Sequence, residues 1–135
     1  MTLVGRANAA TYYVSGRGDD TRPGTSPDTA WRTLTKVNNV QLVPGDTVML
    51  EGGATFEGPL VPPGAGRPGA PVTYSSYGDG RATISSSSNN IVFLHSANWV
   101  TIQNLVLTAN GAGMHVVVSD PATTSSFVTD RKSVV

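Results

Sequence analysis

The chain of 135 residues contains no cysteine, which excludes a disulfide framework, a thiolate nucleophile and any metal site built on sulfur. Its charges are few and balanced, because nine Lys and Arg residues stand against nine Asp and Glu residues. Phosphate backbones and anionic lipids need a basic surface, so neither nucleic acid nor a membrane is a predicted partner. Apolar runs are short and interrupted by Gly, Ser or Asn, which excludes a transmembrane helix.

Two familiar signatures of active sites are also missing. The many serines include no Gly-x-Ser-x-Gly sequence, so a serine nucleophile on a strand-to-helix elbow is not predicted. The glycine-rich loops lack the lysine and the strand-to-helix context of a phosphate-binding loop. Carboxylates, histidines and aromatic side chains therefore remain as the candidates for chemistry or binding.

The sequence does contain short β-type runs that return at intervals of roughly 20 residues. The runs that begin at Val48, Val72, Ile91 and Met114 are separated by 24, 19 and 23 positions. A second set, Leu60, Ile84 and Ile102, is separated by 24 and 18 positions. Because both spacings shorten at the same place, we predict an all-β fold, a right-handed parallel β-helix of about four coils with an N-terminal capping helix.

The predicted organisation has four parts. Residues 1–10 are a disordered tail or signal remnant, and residues 11–45 hold an N-terminal strand, a loop and the capping helix. Residues 46–120 form the coils, and residues 121–135 are an irregular tail. Ala7-Asn8-Ala9 is similar to the small-residue site at which a secretory signal is cut, so we predict a secreted, extracellular protein.

The segment before the first coil carries the signals of a helix. Ser26 is a suitable N-cap and Pro27 a suitable first helical residue. Trp31, Leu34 and Val37 then recur at helical spacing and give one apolar face. A solenoid must cover the apolar end of its first coil, so Trp31 and Leu34 are assigned to the cap.

Local signals also place strands and turns. Tyr12-Tyr13-Val14 is a short β-type run, and Pro44-Gly45-Asp46 predicts a turn that leads into Thr47–Leu50 as the first strand of the ladder. Asparagine tolerates left-handed backbone, which assigns four asparagines to the corners of the coils: Asn90, Asn98, Asn104 and Asn110.

Several of these segments resemble the opening of a known family. They are Tyr12 to Ser15, Gly18 to Asp20, Pro23 to Thr25, Trp31 to Leu34, Pro44 to Val48, Gly69 to Tyr74, Tyr77 to Gly80 and Asn98 to Leu105. The chain is similar over roughly residues 11–119 to the secreted right-handed β-helix proteins of the pectate-lyase-like superfamily. The resemblance implies the fold and a carbohydrate-active protein, a polysaccharide lyase or a glycoside hydrolase. Family members are usually several times longer, with catalytic residues on middle coils.

Carboxylates and histidines are the candidates for catalysis. Glu51 and Glu57 flank a Gly-Gly turn, and two carboxylates about 5 to 10 Å apart can cleave a glycosidic bond. The alternative is that both lie on a solvated rim. His115 falls in the outward phase close to Asp120 and is a candidate general base, whereas His95 is in phase with the core. Glu57, His115 and Asp120 are the predicted catalytic residues.

Ligand contacts are predicted at aromatic and acidic side chains. Tyr77 and Trp99 are the candidates for stacking on a sugar ring, with Tyr13 also available, and burial between coils is the alternative for each. Asp19 and Asp20 are weak candidates for Ca²⁺, because hard cations take several oxygen ligands. No other cofactor is predicted.

The leading prediction is a protein that binds and degrades a polysaccharide, as a glycoside hydrolase or a polysaccharide lyase. A non-catalytic β-helix module for sugar binding or assembly stays open, as does a truncated scaffold. An uncovered last coil would expose strand edges that pair with another copy. We therefore expect a homo-oligomer, a homodimer with Phe127, Val128 and Val134 in or near the contact.

Overall fold

The computed structural model describes residues 9–62, 66–87, 90–94, 99–109, 115–118 and 129–131. It is mostly β, with parallel strands and almost no helix. The strands are β1 (Thr11–Val14), β2 (Thr47–Glu51), β3 (Thr55–Glu57), β4 (Val72–Tyr77), β5 (Ala82–Ser86), β6 (Asn90–Leu94), β7 (Val100–Gln103), β8 (Leu105–Ala109), β9 (His115–Val118) and β10 (Thr129–Arg131). A 3₁₀ turn spans Pro27–Thr29 and one α-helix, α1, spans Leu34–Asn39. No helix in these ranges is long and apolar enough to cross a membrane.

The strands group into parallel sheets that the chain visits in rotation. Sheet 1 has the order β1-β2-β4-β7-β10, sheet 2 has the order β3-β5-β8, and sheet 3 pairs β6 with β9. One circuit therefore runs through β4, β5 and β6, and the next runs through β7, β8 and β9. In the preceding circuit, Leu60 makes a parallel bridge to Val92 of β6, so that circuit also passes beside sheet 3.

In sheet 1, the steps between paired strands are longer than the predicted intervals. In sheet 1, Thr47 pairs with Thr73 and Thr73 pairs with Thr101, which are steps of 26 and 28 positions. In sheet 2, Thr83 pairs with Val106, a step of 23 positions. The recurrence of β-type runs is confirmed, but the predicted spacing of the coils is too short for sheet 1.

Both predicted columns of apolar residues are wrong, because each mixes strands of different sheets. Val48 pairs with Tyr74 in sheet 1, whereas Ile91 belongs to sheet 3 and Met114 lies outside the described residues. In the second column, Ile84 belongs to sheet 2 and Ile102 to sheet 1. Strands of sheets 1 and 2, such as β2 and β5, bury alternate residues, so short apolar runs from different sheets look alike in sequence.

The core consists of side chains that alternate along the strands and stack in register. In sheet 1, Val48 pairs with Tyr74 and Tyr74 with Ile102. In sheet 2, Ile84 lies between its partners on the neighbouring strands, Phe56 and Leu107. All six side chains are at most 3% exposed. The five side chains other than Tyr74 each contribute roughly 1.5–3 kcal/mol through burial.

The single helix predicted from Ser26 onward is wrong, because the segment breaks at Trp31. Ser26 does cap a turn that begins at Pro27, and its hydroxyl accepts a hydrogen bond of 3.2 Å from the Thr29 N–H. That turn ends at Thr29, and α1 begins only after a second N-cap, Thr33. Trp31 between them forms a parallel bridge with Val14 and extends sheet 1.

The segment from Gly24 to Leu34, called here the capping segment, completes the hydrogen bonds of β1 on the side away from β2. The Tyr13 N–H donates to the Gly24 carbonyl at 2.7 Å, and the Tyr13 carbonyl accepts from the Trp31 N–H at 2.9 Å. The Ser15 N–H donates to the Trp31 carbonyl at 2.8 Å. Trp31 is 4% exposed and Leu34 is 1% exposed. The pairing capacity of β1 is thus used on both sides, which blunts the edge of sheet 1.

Sheet 1 begins one strand earlier in the chain than predicted. β1 pairs in parallel with β2, with Thr11 opposite Thr47 and Val14 opposite Leu50. The predicted turn before β2 is confirmed, since Gly45 has a φ of 91° and the Asp46 N–H donates to the Val43 carbonyl at 3.0 Å. Thr47–Leu50 is therefore the second strand of sheet 1.

Other predictions have mixed outcomes or fall outside the described residues. Asn104 has a φ of 57°, which confirms a left-handed corner, whereas Asn90 begins β6. Some predictions fall on residues outside the described ranges. These are residues 1–8 of the predicted tail, Asn98, Asn110, His95, Asp120, Phe127, Val128 and Val134. The predictions for them stay predictions.

Candidate functional site

Three polar side chains lie side by side where successive strands of sheet 1 end. Glu51 is the last residue of β2 and pairs with Tyr77, the last residue of β4. Ser15 follows directly on β1, whose last residue Val14 pairs with Leu50. The parallel register thus puts Ser15 beside Glu51 and Glu51 beside Tyr77.

The Glu51 carboxylate is held by both of its oxygens. The Ser15 hydroxyl donates to Oε1 at 2.9 Å, and Arg17 Nη2 donates to Oε2 at 2.9 Å. The Ser15 hydroxyl also accepts a bond of 3.1 Å from the Arg17 N–H, which ties the two partners to each other. Ser15 is 5% exposed, whereas the Arg17 side chain is 87% exposed. The network therefore connects a buried hydroxyl to an accessible guanidinium.

These contacts determine the protonation state of Glu51. The hydrogen bond from Ser15, together with the hydrogen bond and charge of Arg17, outweighs desolvation and holds the pKa of Glu51 below its ordinary value. A general acid for glycoside cleavage needs a raised pKa. Glu51 is therefore suited to accept hydrogen bonds from a ligand as a carboxylate, and is poorly suited to donate a proton.

Tyr77 is oriented by a second aromatic ring. Its ring meets that of Tyr13 edge to face, with the centroids 5.2 Å apart and an interplanar angle of 89°. Burial, with the negative charge of Glu51, raises the pKa of Tyr77. The phenol thus stays protonated near neutral pH and keeps its O–H donor. The predicted sugar contact at Tyr77 lies next to a fixed carboxylate.

A cavity of about 420 Å³, called here the first cavity, opens over this row of residues. It is lined by Ser15, Arg17, Gly18, Arg22, Pro27, Asp28, Ala30, Glu51 and Tyr77. The lining carries two guanidinium groups and two carboxylates, so its formal charge is zero. It combines hydrogen-bond donors and acceptors with one aromatic ring, a composition that suits a ligand rich in hydroxyl groups.

Glu57 lies elsewhere, in a second cavity of about 350 Å³. It is exposed at the end of β3 in sheet 2, and the same cavity includes Arg32, Asn38 and Phe56. The two glutamates that flank the Gly-Gly turn therefore line different cavities.

The carboxylates of Asp19 and Asp20 both accept hydrogen bonds from residues that follow them in the chain. Asp19 Oδ1 accepts from the N–H and hydroxyl of Thr21, at 2.9 and 2.7 Å. Asp20 accepts from the N–H groups of Arg32 and Thr33 and, at 2.6 Å, from the Thr33 hydroxyl. Over the described ranges, no group of three or more His, Asp or Glu residues is placed to hold a metal ion. Calcium binding stays a prediction.

The remaining predicted residues are apart from these cavities or lie beyond description. Trp99 is half-buried in a turn with a φ of 58°, and its carbonyl accepts from the Val72 N–H at 3.0 Å. It lines neither the first nor the second cavity. His115 begins β9, with its backbone paired to Asn90, and Asp120 is outside the described residues.

Sequence reasoning did not predict several residues of the first cavity as catalytic or sugar-binding residues. They are Ser15, Arg17, Arg22 and Asp28. The available signal was the likeness of Thr11–Val14 to Thr47–Leu50, two runs of four residues that each begin with Thr. Aligning these two runs as neighbouring strands places Ser15 opposite Glu51.

Comparison with known proteins relates the chain to carbohydrate-active enzymes. No model of a known protein family matches it. It is 31% identical, over an alignment of 145 residues, to a lacto-N-biosidase of Bifidobacterium longum subsp. longum. That alignment covers 84% of this chain but only 9% of the lacto-N-biosidase. The chain thus spans a small part of the length of this curated relative.

Solved structures point the same way. The native GH136 lacto-N-biosidase from Eubacterium ramulus superposes with a TM-score of 0.71 and 25% identity, over 88% of this chain and 23% of that one. Its selenomethionine derivative gives a TM-score of 0.67 over 90% and 24%, respectively. A rhamnogalacturonan lyase, 21% identical, matches with a TM-score of 0.55 over 73% of this chain and 28% of its own, a similarity of fold alone.

Proposed function

We propose that this chain forms coils of a right-handed parallel β-helix in a glycoside hydrolase related to the GH136 lacto-N-biosidases. The observation that carries the proposal is the 31% identity to a lacto-N-biosidase over 84% of the chain. The rotation of the chain through sheets 1, 2 and 3 supports the β-helix, since stacked coils require this order of parallel strands. An extracellular location belongs to the same proposal.

The proposed reaction is hydrolysis of a glycan that contains lacto-N-biose, the unit in the names of the relatives. Hydrolysis of a glycosidic bond requires a group that protonates the leaving oxygen and a carboxylate that assists attack. Glu57, His115 and Asp120 remain the proposed catalytic residues. Tyr77 and Trp99 remain the proposed substrate contacts, and Tyr77, which lines the first cavity, would hold a sugar unit away from Glu57.

Glu51 is not proposed as the acid of this reaction. Ser15 and Arg17 occupy its oxygens at 2.9 Å each, and these contacts lower its pKa. Glu57 is exposed and lines the second cavity together with Arg32, which brings a cation to the same cavity. This arrangement supports Glu57 over Glu51 as the glutamate that takes part in cleavage.

The test is a panel of glycans incubated with the full chain. The panel contains an oligosaccharide with lacto-N-biose, together with uronates, xylans, glucans and mannans, and is assayed for new reducing ends and for unsaturated products. We expect new reducing ends from the lacto-N-biose substrate without unsaturation. Unsaturated products would instead identify a lyase and overturn the proposal.

The catalytic residues are tested one at a time on the same substrate. Glu57→Gln, His115→Asn and Asp120→Asn each remove a proton-transfer group with little change of shape, and a true participant should lose about 100-fold or more in rate. Asp79→Asn is the matched control, since Asp79 is exposed and lines neither cavity. Full activity in all three variants would remove these residues from the mechanism.

A non-catalytic carbohydrate-binding module is the second candidate. It is favoured by the small share of the curated relative that the chain covers, 9%. Its signature in the same panel is retention on an insoluble glycan without any product. If the panel shows no reducing ends, no unsaturated products and no retention, a scaffold or an assembly unit explains this chain better.

A further inference from the structure

We infer that the first cavity binds a neutral sugar unit, at a site separate from Glu57. Its volume of about 420 Å³ is within the range of roughly 300–1,000 Å³ that small-molecule sites occupy. The choice of a sugar among neutral, hydroxyl-rich ligands rests on the proposed function. The position and the neutral character of the site rest on the geometry of the cavity itself.

The charges of the lining favour a neutral ligand over an anion. Arg17 is paired with Glu51 at 2.9 Å, so its charge is already balanced within the cavity wall. Arg22 donates from Nη1 to the Asp28 carbonyl at 3.1 Å, and the Asp28 carboxylate also belongs to the lining. An anionic sugar would meet two carboxylates beside the two guanidinium groups. A neutral sugar hydroxyl, which both donates and accepts, can use either kind of group.

The lining is organised in advance of binding. Ser15 is 5% exposed and connects Glu51 to the Arg17 backbone, so the carboxylate has a fixed position. Tyr13 fixes the ring of Tyr77 from the side. Exposed ion pairs such as Arg17–Glu51 contribute little to stability, so the network is poorly explained as a stabilising device. Fixed polar groups beside an aromatic ring lower the ordering cost of binding a sugar.

The site is built by tertiary structure and is distinct from the second cavity. Its walls come from the loop after β1, the 3₁₀ turn, and the last residues of β2 and β4. Glu57 lines the second cavity and is absent from the lining of the first. A sugar in the first cavity therefore contacts Glu51, Arg17 and Tyr77, in a lining that does not include the proposed catalytic glutamate.

The test is a titration of the ¹⁵N-labelled full chain with lacto-N-biose as the neutral probe, and separately with galacturonic acid as the anionic probe. We expect lacto-N-biose to shift the amide resonances of Ser15, Arg17, Gly18, Glu51 and Tyr77. Glu51→Gln keeps the shape of the side chain but removes its charge, and it should weaken binding about tenfold or more.

Further variants distinguish the contribution of the Tyr77 ring to binding from that of its hydroxyl. Others control for the loss of a charge outside the cavity. Tyr77→Ala should abolish saturable shifts, and Tyr77→Phe, which keeps the ring beside Tyr13, should retain binding with an affinity reduced severalfold. Asp79→Asn and Arg81→Gln make the same kinds of change at exposed residues outside the cavity and should leave the affinity unchanged. Thermal unfolding of each variant shows whether the fold is kept, and Tyr77→Phe serves if Tyr77→Ala unfolds.

Three results would overturn the inference. They are tighter binding of galacturonic acid than of lacto-N-biose, equal affinity in Glu51→Gln and the wild type, and shifts confined to the residues around Glu57. The glycan panel distinguishes this failure from failure of the proposed function. Cleavage without binding at the first cavity would reject the sugar site and keep the proposed hydrolase activity. Binding without cleavage would keep the sugar site and reject the proposed activity.

Discussion

The carboxylate of Asp46 joins the start of β1 to the start of β2, because its Oδ1 accepts a hydrogen bond of 2.8 Å from the Ala10 N–H. Its Oδ2 accepts a bond of 2.9 Å from the Val43 N–H, within the turn. Asp46 has no exposed surface. A buried charge is tolerated when hydrogen bonds compensate it, so these two donors explain an aspartate at this position.

We expect Asp46→Ala to destabilise the chain by roughly 2–5 kcal/mol, since it leaves two N–H donors without their acceptor. The measurement is equilibrium unfolding in urea, with Asp79→Asn as an exposed control of the wild-type behaviour. A loss below the error of the extrapolation would show that water replaces the carboxylate at Ala10 and Val43.

Alanine substitutions at Gly24 and Gly78 test how tightly the capping segment is packed, because the two glycines have similar backbone angles but different surroundings. Their φ angles are 74° and 75°, so alanine costs about 1–2 kcal/mol of backbone strain at either position. A Cβ at Gly24 would also lie 2.6 Å from Trp31 Nε1, whereas a Cβ at Gly78 would meet nothing within 4 Å. We expect Gly24→Ala to lower the free energy of unfolding clearly more than Gly78→Ala. Equal losses would mean that the Trp31 ring can shift without cost.

Trp31 should be the most sensitive side chain of the capping segment. It is 4% exposed, stacks on Tyr12 with centroids 4.8 Å apart, and donates from Nε1 to the Arg22 carbonyl at 2.8 Å. Trp31→Ala should cost about 3–5 kcal/mol, and Trp31→Phe, which keeps most of the ring but loses the donor, should cost less. Calorimetric melting of both variants tests this order.

Asp20 should make stability depend on pH in the acid range. Burial alone would raise its pKa, but hydrogen bonds from the Thr33 hydroxyl and from the N–H groups of Arg32 and Thr33 outweigh it and lower the pKa below 3.8. A depressed pKa means that the unfolded chain binds the proton first, so the stabilisation is present above about pH 4 and is lost as the pH falls further. Urea midpoints measured from pH 6 to pH 2 should decline.

Asp20→Asn tests this assignment, because it removes the titrating group and should flatten the decline. Asp79→Asn makes the same chemical change on the exposed turn after β4 and should preserve it. An unchanged slope in Asp20→Asn would assign the acid sensitivity to other carboxylates with lowered pKa values, such as Asp19 and Glu51.

Local signals in the sequence determined the parts of this protein whose causes are local. The β-type runs, the turn at Pro44 to Asp46 and the left-handed Asn104 follow from alternation and turn chemistry, which act over a few residues. The candidate aromatic Tyr77 also came from its residue type alone, and the first cavity now contains it.

Tertiary structure alone decided the register and the site. Parallel pairing joins residues 26 or 28 positions apart, as from Thr47 to Thr73 and from Thr73 to Thr101, so no short window of sequence contains both partners. Trp31 joins β1 as an extended residue despite its helical spacing, because pairing with the open strand satisfies backbone groups that a helix would leave exposed. The bond from Ser15 to Glu51 spans 36 residues for the same reason. Hydrogen bonds between neighbouring strands, formed across a full circuit of the chain, bring these side chains together.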